Sequence, residues 1–232
     1  MGLCWPLMAR KLEGHFDVIM VDARGHGHSD KPESGYGPSD HAADLAGLVT
    51  ALALEKPVLL GHSMGARTIA TMAAWYPDLP GRIVLEDPPW RSAEAQDPRA
   101  GPDSRRQQIV DNNSKSHREL VDLGRTLRPS WDDAEFEPWA ESKRLVSPIV
   151  VESNPQAWQE IIPGITCPAL LVTADVDAGA IVTAQIAREA VGLNPNLQVF
   201  HIPGAGHNIH REQFALADLG ELRDHLTDVA AT

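Results

Sequence analysis

The stretch Lys56-Pro57-Val58-Leu59-Leu60-Gly61-His62-Ser63-Met64-Gly65-Ala66-Arg67-Thr68-Ile69-Ala70 holds the strongest structural signal in the chain. The apolar run at 58–60 follows a proline and is typical of a buried strand, and the helix formers from Ala66 onward predict a helix. Between them, a glycine stands on each side of Ser63, as a strand-to-helix turn without room for side chains requires. The pattern predicts a nucleophile elbow, which exposes the serine hydroxyl at the end of a strand.

Two further motifs accompany the elbow. Upstream, Val18-Ile19-Met20-Val21-Asp22-Ala23-Arg24-Gly25-His26-Gly27-His28-Ser29-Asp30 combines an apolar run with D-x-R-G-x-G-x-S, and downstream stands Gly204-Ala205-Gly206-His207. With these three motifs in this order, the chain resembles the α/β-hydrolase superfamily over nearly its whole length. The resemblance implies an α/β-hydrolase fold, with a mostly parallel sheet, helices on both faces and an inserted helical cap.

The alternation of short apolar runs with helical patterns independently favours a mostly parallel sheet. Ligands of such sheets bind at the carboxyl ends of the strands. We expect strands at 16–21, 58–60, 83–85, 169–173 and 197–202. We expect helices at 7–14, 39–52, 66–76, 105–123, 138–151, 183–191 and 212–229.

Strand patterns are missing between residues 88 and 164, where the family inserts its cap. We therefore predict a hydrolase core of residues 1–87 and 165–232 and a helical cap of residues 88–164. Trp90, Trp131 and Trp139 fall in or beside this cap, and we expect them to line an apolar substrate pocket together with His62. The alternative, that the tryptophans only pack the cap helices together, stays open.

A serine hydroxyl needs a base to accept its proton, and the base needs an acid that holds its tautomer. His207, in a glycine-rich loop after the last predicted strand, is the expected base of Ser63. The resemblance offers two acids. Asp177 matches the usual acid of the family, whereas Asp87 matches the position that some relatives use, and Asp175 is a less favoured third candidate. We expect Asp177 rather than Asp87.

Hydrolysis by this triad also needs two backbone N–H groups that meet the developing oxyanion. The first is expected to be the amide of Met64, directly after the nucleophile. In the family, the second follows a His-Gly pair upstream of a segment that resembles Leu3-Cys4-Trp5. This sequence begins after that pair, so we expect either a truncated or misassigned start, without the first strand, or another donor.

The leading functional hypothesis is a serine hydrolase that cleaves an ester or lactone of a small apolar substrate through an acyl-enzyme, without a cofactor. Carbon–carbon bond hydrolases and perhydrolases use the same triad and are the first alternative. A ligand-binding, receptor-like protein or an inactive member of the family is the second. The pair His207-x-x-His210 could suggest a metal site, but no third ligand is near in sequence, so we expect no metal.

The composition narrows the range of partners. The 232 residues carry a net charge of −12, which disfavours nucleic acid and anionic membranes, and no apolar run is long enough to span a bilayer. The two cysteines cannot form a disulfide framework, and no secretory signal is visible at Met1, so a cytoplasmic setting is expected. We expect a small-molecule substrate and a possible homodimer formed through an exposed sheet edge.

Overall fold

The computed structural model describes residues 1–91, 101–151 and 157–213. Contacts divide the chain into two compact units, one of residues 1–37 and 97–154 and the other of residues 38–96 and 155–232. The predicted boundaries of the cap at residues 88 and 164 stay a prediction. In the three described ranges, no helix has the length and apolar character needed to cross a lipid bilayer.

The described residues form four strands and nine α-helices, besides short 3₁₀ turns. The strands are β1 (Val58–His62), β2 (Arg82–Glu86), β3 (Ala169–Ala174) and β4 (Leu197–Ile202). The helices are α1 (Pro6–Leu12), α2 (Pro38–Ala51), α3 (Met64–Trp75), α4 (Pro102–Ser114), α5 (His117–Leu127), α6 (Phe136–Arg144), α7 (Trp158–Ile161), α8 (Ala184–Leu193) and α9 (Ile209–Glu212).

The four strands belong to the second unit and form one parallel sheet in the order β1-β2-β3-β4. The register pairs Gly61 with Leu85, and Leu85 in turn with Leu171. Every residue of β3 is buried, which agrees with its apolar run from Ala169 to Val172. The parallel sheet of an α/β fold is therefore confirmed, and the carboxyl ends of all four strands meet at one edge.

The core of the second unit lies between this sheet and its helices. Ile69 and Ala73 of α3 are buried against the sheet residues Ile83 and Leu85, and α7 and α8 contribute further apolar side chains such as Ile186. Burying an aliphatic side chain of this size stabilises the fold by about 1.5–3 kcal/mol. This packing fixes the strand ends at which the loops of the carboxyl edge begin.

The first unit is mainly helical. Ser116 starts α5 with a capping box, because its hydroxyl accepts from the Glu119 amide while the Glu119 carboxylate accepts from the Ser116 amide. Helices α5 and α6 then bury a small cluster of their own, which also includes aromatic side chains: Leu120, Val121, Trp131, Phe136 and Ala140, with Trp139 at its margin.

Three expectations about secondary structure need correction. The segment 16–21 is not a strand: no described strand pairs with it, and its side chains Val18–Val21 are 38–50 % exposed. The helix expected at 105–123 is two helices, because Lys115 is extended and Ser116 caps a new start. The helix expected at 138–151 ends at Arg144. Most of the C-terminal helix expected at 212–229 lies outside the described residues.

Candidate active site

Ser63 stands between the end of β1 and the start of α3, where the sequence predicts the elbow. Its φ of 53° and ψ of −117° are unusual for a residue with a side chain and cost about 1–3 kcal/mol. The turn needs its flanking glycine, because a Cβ on Gly61 would lie 2.7 Å from the carbonyl carbon of Gly65. The Ser63 amide donates to the Glu86 carbonyl at 2.9 Å, which ties the elbow to the neighbouring strand β2.

His207 lies in the loop between β4 and α9. Its Nε2 is 3.1 Å from the Ser63 hydroxyl oxygen, within hydrogen-bonding distance. The imidazole keeps 29 % of its surface exposed, so water and a substrate can reach it. The two residues predicted as base and nucleophile are thus brought together, as the glycine-rich loop suggests.

Asp87 follows β2 directly and is 0 % exposed. Its Oδ2 lies 2.6 Å from Nδ1 of His207, on the far side of the imidazole from Ser63. The same carboxylate accepts from the amides of Ile181 and Val182 at 2.9–3.0 Å. These two amides fix the carboxylate, so it can hold the proton of His207 on Nδ1 and leave Nε2 free to accept one.

The structure brings Asp87 to His207, and not Asp177, which the sequence favoured as its partner. Asp177 is exposed in the 3₁₀ turn Val176–Ala178, and among the described residues no hydrogen bond joins it to His207. The strand order explains the difference, since β2 lies beside the nucleophile strand β1 while β3 is one strand further away. The third candidate, Asp175, is also occupied elsewhere, because it accepts from the amide of Gly204 and lies 3.0 Å from His201 Nε2.

Met64 is the first residue of α3, so its N–H has no acceptor within the helix and lies at the positive end of the helix dipole. This is the geometry that an oxyanion donor requires, and the role of Met64 stays a prediction. His62, predicted to line the substrate site, has its Nε2 2.7 Å from the carbonyl oxygen of His207. Its contact with substrate also stays a prediction.

The predicted substrate tryptophans are packed inside the units. Trp90 is buried in the core of the second unit and stacks on Trp158, with ring centroids 5.3 Å apart. In the first unit, Trp131 lies edge-on to Trp139 at 6.4 Å and stacks near Phe136. This packing agrees with the alternative in which the tryptophans hold helices together, and a role in substrate binding stays a prediction.

Sequence reasoning missed a second polar network beside the triad. Glu86, the neighbour of Asp87, is buried, and its Oε1 lies 2.7 Å from Nδ1 of His210 and 3.0 Å from the His210 amide nitrogen. The ring of His62 is near the rings of both His207 and His210, with centroid distances of 4.4 and 5.2 Å. In the sequence, this network could have been predicted from two signals: the adjacent acids at the end of a strand and the spacing His207-x-x-His210.

Fold and site together define a hydrolase of the α/β-hydrolase class, with a serine at a strand-to-helix elbow, a histidine and a buried carboxylate in one line. A model of the alpha/beta hydrolase family matches residues 1–219. The chain therefore belongs to the alpha/beta hydrolase family, and the predicted fold is confirmed.

Several curated proteins and solved structures are similar to the chain. The 2-(acetamidomethylene)succinate hydrolase of Mesorhizobium japonicum is 33% identical over 217 residues, covering 88% of this chain and 76% of that protein. The N-formylmaleamate deformylase of Pseudomonas putida is 31% identical over 240 residues, covering 97% and 85%. The crystal structure of E-2-(acetamidomethylene)succinate hydrolase has a TM-score of 0.80 at 28% identity and covers 98% of this chain and 87% of its own. The prediction of a hydrolase is confirmed.

Proposed function

We propose that the chain hydrolyses a carboxylic acyl bond of a small molecule through an acyl-enzyme on Ser63. The observation that supports this most directly is the unbroken line from Ser63 Oγ to His207 Nε2, and from His207 Nδ1 to Asp87. In this line each atom has the partner that its chemical role requires.

In the proposed reaction, Ser63 Oγ attacks the acyl carbon while His207 Nε2 takes the hydroxyl proton. The oxyanion of the tetrahedral intermediate is met by the amide of Met64. Collapse breaks the bond to the leaving group, which receives the proton from His207. A water molecule then gives a proton to His207 and attacks the acyl carbon, and when the ester bond to Ser63 breaks, His207 returns that proton to Ser63 Oγ, which releases the carboxylic acid and the free serine. Asp87 stays ionised throughout and stabilises the imidazolium.

For the substrate, the sequence alone favours an ester or lactone. The names of the two relatives above 30% identity favour a second candidate, a small carboxylic acid that carries an N-acyl group, since one acts on 2-(acetamidomethylene)succinate and the other on N-formylmaleamate. The triad chemistry is the same for both classes, because each presents an acyl carbon and a leaving group that needs a proton.

The first experiment tests the nucleophile. A fluorophosphonate probe is expected to label the wild type at Ser63 and to leave Ser63→Ala unlabelled. Ser104→Ala, which removes an exposed serine of α4, is the matched control and should label like the wild type. Labelling of Ser63→Ala at another serine with full activity would overturn the proposed nucleophile.

The second experiment separates the substrate classes. The values of kcat/KM are compared for p-nitrophenyl acetate, a γ-lactone, N-formylmaleamate and 2-(acetamidomethylene)succinate, each with the wild type and Ser63→Ala. A value for the N-acyl acids far above that for the esters assigns the chain to the second class. Turnover of any of them that survives in Ser63→Ala contradicts the acyl-enzyme for that substrate.

A further inference from the structure

Two neighbouring carboxylates at the end of β2 each hold one histidine of the same loop. Asp87 accepts from His207, the base, and Glu86 accepts from both the amide and the ring of His210, three residues later. Glu86 is also joined to the nucleophile, since its carbonyl accepts from the amide of Ser63. The residues at the end of β2 therefore contact both Ser63 and His207.

His62 connects the second pair to the base. Its Nε2 donates to the carbonyl of His207, and its ring contacts those of His207 and His210. Burial lowers the pKa of His62 to about 3, so the ring is neutral at neutral pH and keeps its proton on Nε2. Burial alone would raise the pKa of Glu86, but the charge and hydrogen bonds of His210 outweigh it and lower that pKa to about 2, so Glu86 is ionised.

We propose that Glu86, His210 and His62 are positioning residues that hold the imidazole of His207 in line with Ser63. The inference rests on the proposed function, in which His207 is the base. The loop that carries His207 contains Gly204, with a φ of +77°, and Gly206, and glycine allows a loop to take many conformations. Beyond the glycines, the Glu86–His210 pair fixes the backbone at the start of α9, and His62 fixes the carbonyl of His207 itself.

A merely structural ion pair would stabilise the fold without affecting the line from His207 to Ser63. The positioning role predicts more, because a shift of about 1 Å in a catalytic group can cost about 10²-fold in rate. The test must therefore measure the chemistry of the base and the hydrogen bond of its ring, besides the stability of the chain.

The experiment compares His210→Ala, which removes the donor to Glu86, with His210→Asn, whose amide nitrogen stands near the position of Nδ1 and can donate in its place. The matched control is His117→Ala. His117 also pairs with a carboxylate, that of Glu137, but this pair lies in the first unit, whereas the triad lies in the second, and its side chains are 35 % and 67 % exposed.

The readouts are the maximal rate and the half-saturating concentration of inactivation by the fluorophosphonate, and the downfield NMR signal of the proton between His207 Nδ1 and Asp87. We expect His210→Ala to lower the maximal rate about 10- to 100-fold, with an unchanged half-saturating concentration and a broadened signal. His210→Asn should recover most of the rate and the signal, and His117→Ala should behave like the wild type.

The proposal is overturned if folded His210→Ala retains the wild-type rate and signal, if His210→Asn is as impaired as His210→Ala, or if His117→Ala loses as much. Should His210→Ala fail to fold, the comparison passes to His62→Ala and His62→Gln, of which only glutamine keeps a donor near Nε2. Wild-type behaviour of both, or equal loss in both, overturns the proposal. A wild type that is not labelled at Ser63 contradicts the proposed function instead, while the NMR comparison still tests the positioning.

Discussion

Replacing Asp87 by asparagine should abolish most of the activity through the tautomer of His207. In the wild type, Asp87 Oδ1 accepts from the amides of Ile181 and Val182, whereas Oδ2 faces His207 Nδ1 and accepts from the Ile181 amide as well. We expect the asparagine oxygen at the Oδ1 position, because the opposite orientation would point its NH₂ group at two amide donors instead of one. The NH₂ group then faces Nδ1, which becomes an acceptor, and the ring proton moves to Nε2, where it can no longer take the proton of Ser63.

The expected loss follows from this exchange. A wrong tautomer of the base lowers turnover by about 10⁴ in a serine triad. At about 1.36 kcal/mol for each factor of ten, this is about 5.4 kcal/mol of lost transition-state stabilisation. The fold should be retained, because asparagine has the shape of aspartate and its oxygen at the Oδ1 position still accepts from the Ile181 and Val182 amides.

The assay is the rate of acylation by p-nitrophenyl acetate or the fluorophosphonate, together with thermal unfolding. The matched control is Asp177→Asn, which makes the same chemical change in an exposed turn and should leave the rate within about twofold of the wild type, as surface substitutions usually do. A large loss in Asp177→Asn, with activity retained in Asp87→Asn, would refute the reasoning and return the acid to the position first expected.

Two further predictions concern the elbow and its surroundings. Gly61→Ala places a Cβ 2.7 Å from both the Gly65 backbone and Ile69 Cδ1, so both the labelling of Ser63 by the fluorophosphonate and the thermal stability should fall. Gly47→Ala in α2 is the control: a Cβ there meets nothing within 4 Å, so this substitution should raise stability by about 0.5–1 kcal/mol. Burial lowers the pKa of His62 from 6.5 to about 3, so below pH 6.5 only the unfolded chain binds this proton, and stability should fall towards pH 3 by at most about 1.4 kcal/mol per pH unit. Urea titrations across this range check the slope, which His62→Gln should flatten; an unchanged slope contradicts the assignment.

The elements that sequence reasoning predicted well are those whose signals are local. The strand at 197–202 agrees with β4 to the residue, and the helix expected at 183–191 lies within one or two residues of α8, because Thr183 caps it. The segment 16–21 has an equally apolar sequence but no described strand beside it. Whether a segment pairs with a neighbouring strand depends on residues distant in sequence, so the composition of the segment alone does not predict it.

The same distinction between local and long-range signals applies to the residues of the candidate site. Ser63 and His207 could be predicted because each sits in a glycine pattern with a direct conformational reason. The choice between Asp87 and Asp177 depends on which strand lies next to β1, and local spacing does not give strand order. The Glu86–His210 pair spans 124 residues of sequence, so two ordinary side chains become a network only after folding.

Ser63 and Asp87 share a strained backbone conformation, which bears on how the sequence can change once catalysis is no longer selected. Both have a positive φ, 53° and 37°, at the ends of adjacent strands, although neither is glycine. Each such residue costs about 1–3 kcal/mol, against a typical total stability of about 5–15 kcal/mol. Ser63→Gly would relieve this cost together with the loss of the nucleophile, whereas Asp87→Gly would also leave the amides of Ile181 and Val182 without the carboxylate that accepts from them. A copy of the gene that is no longer selected for catalysis would therefore gain stability from glycine at position 63 but not at position 87.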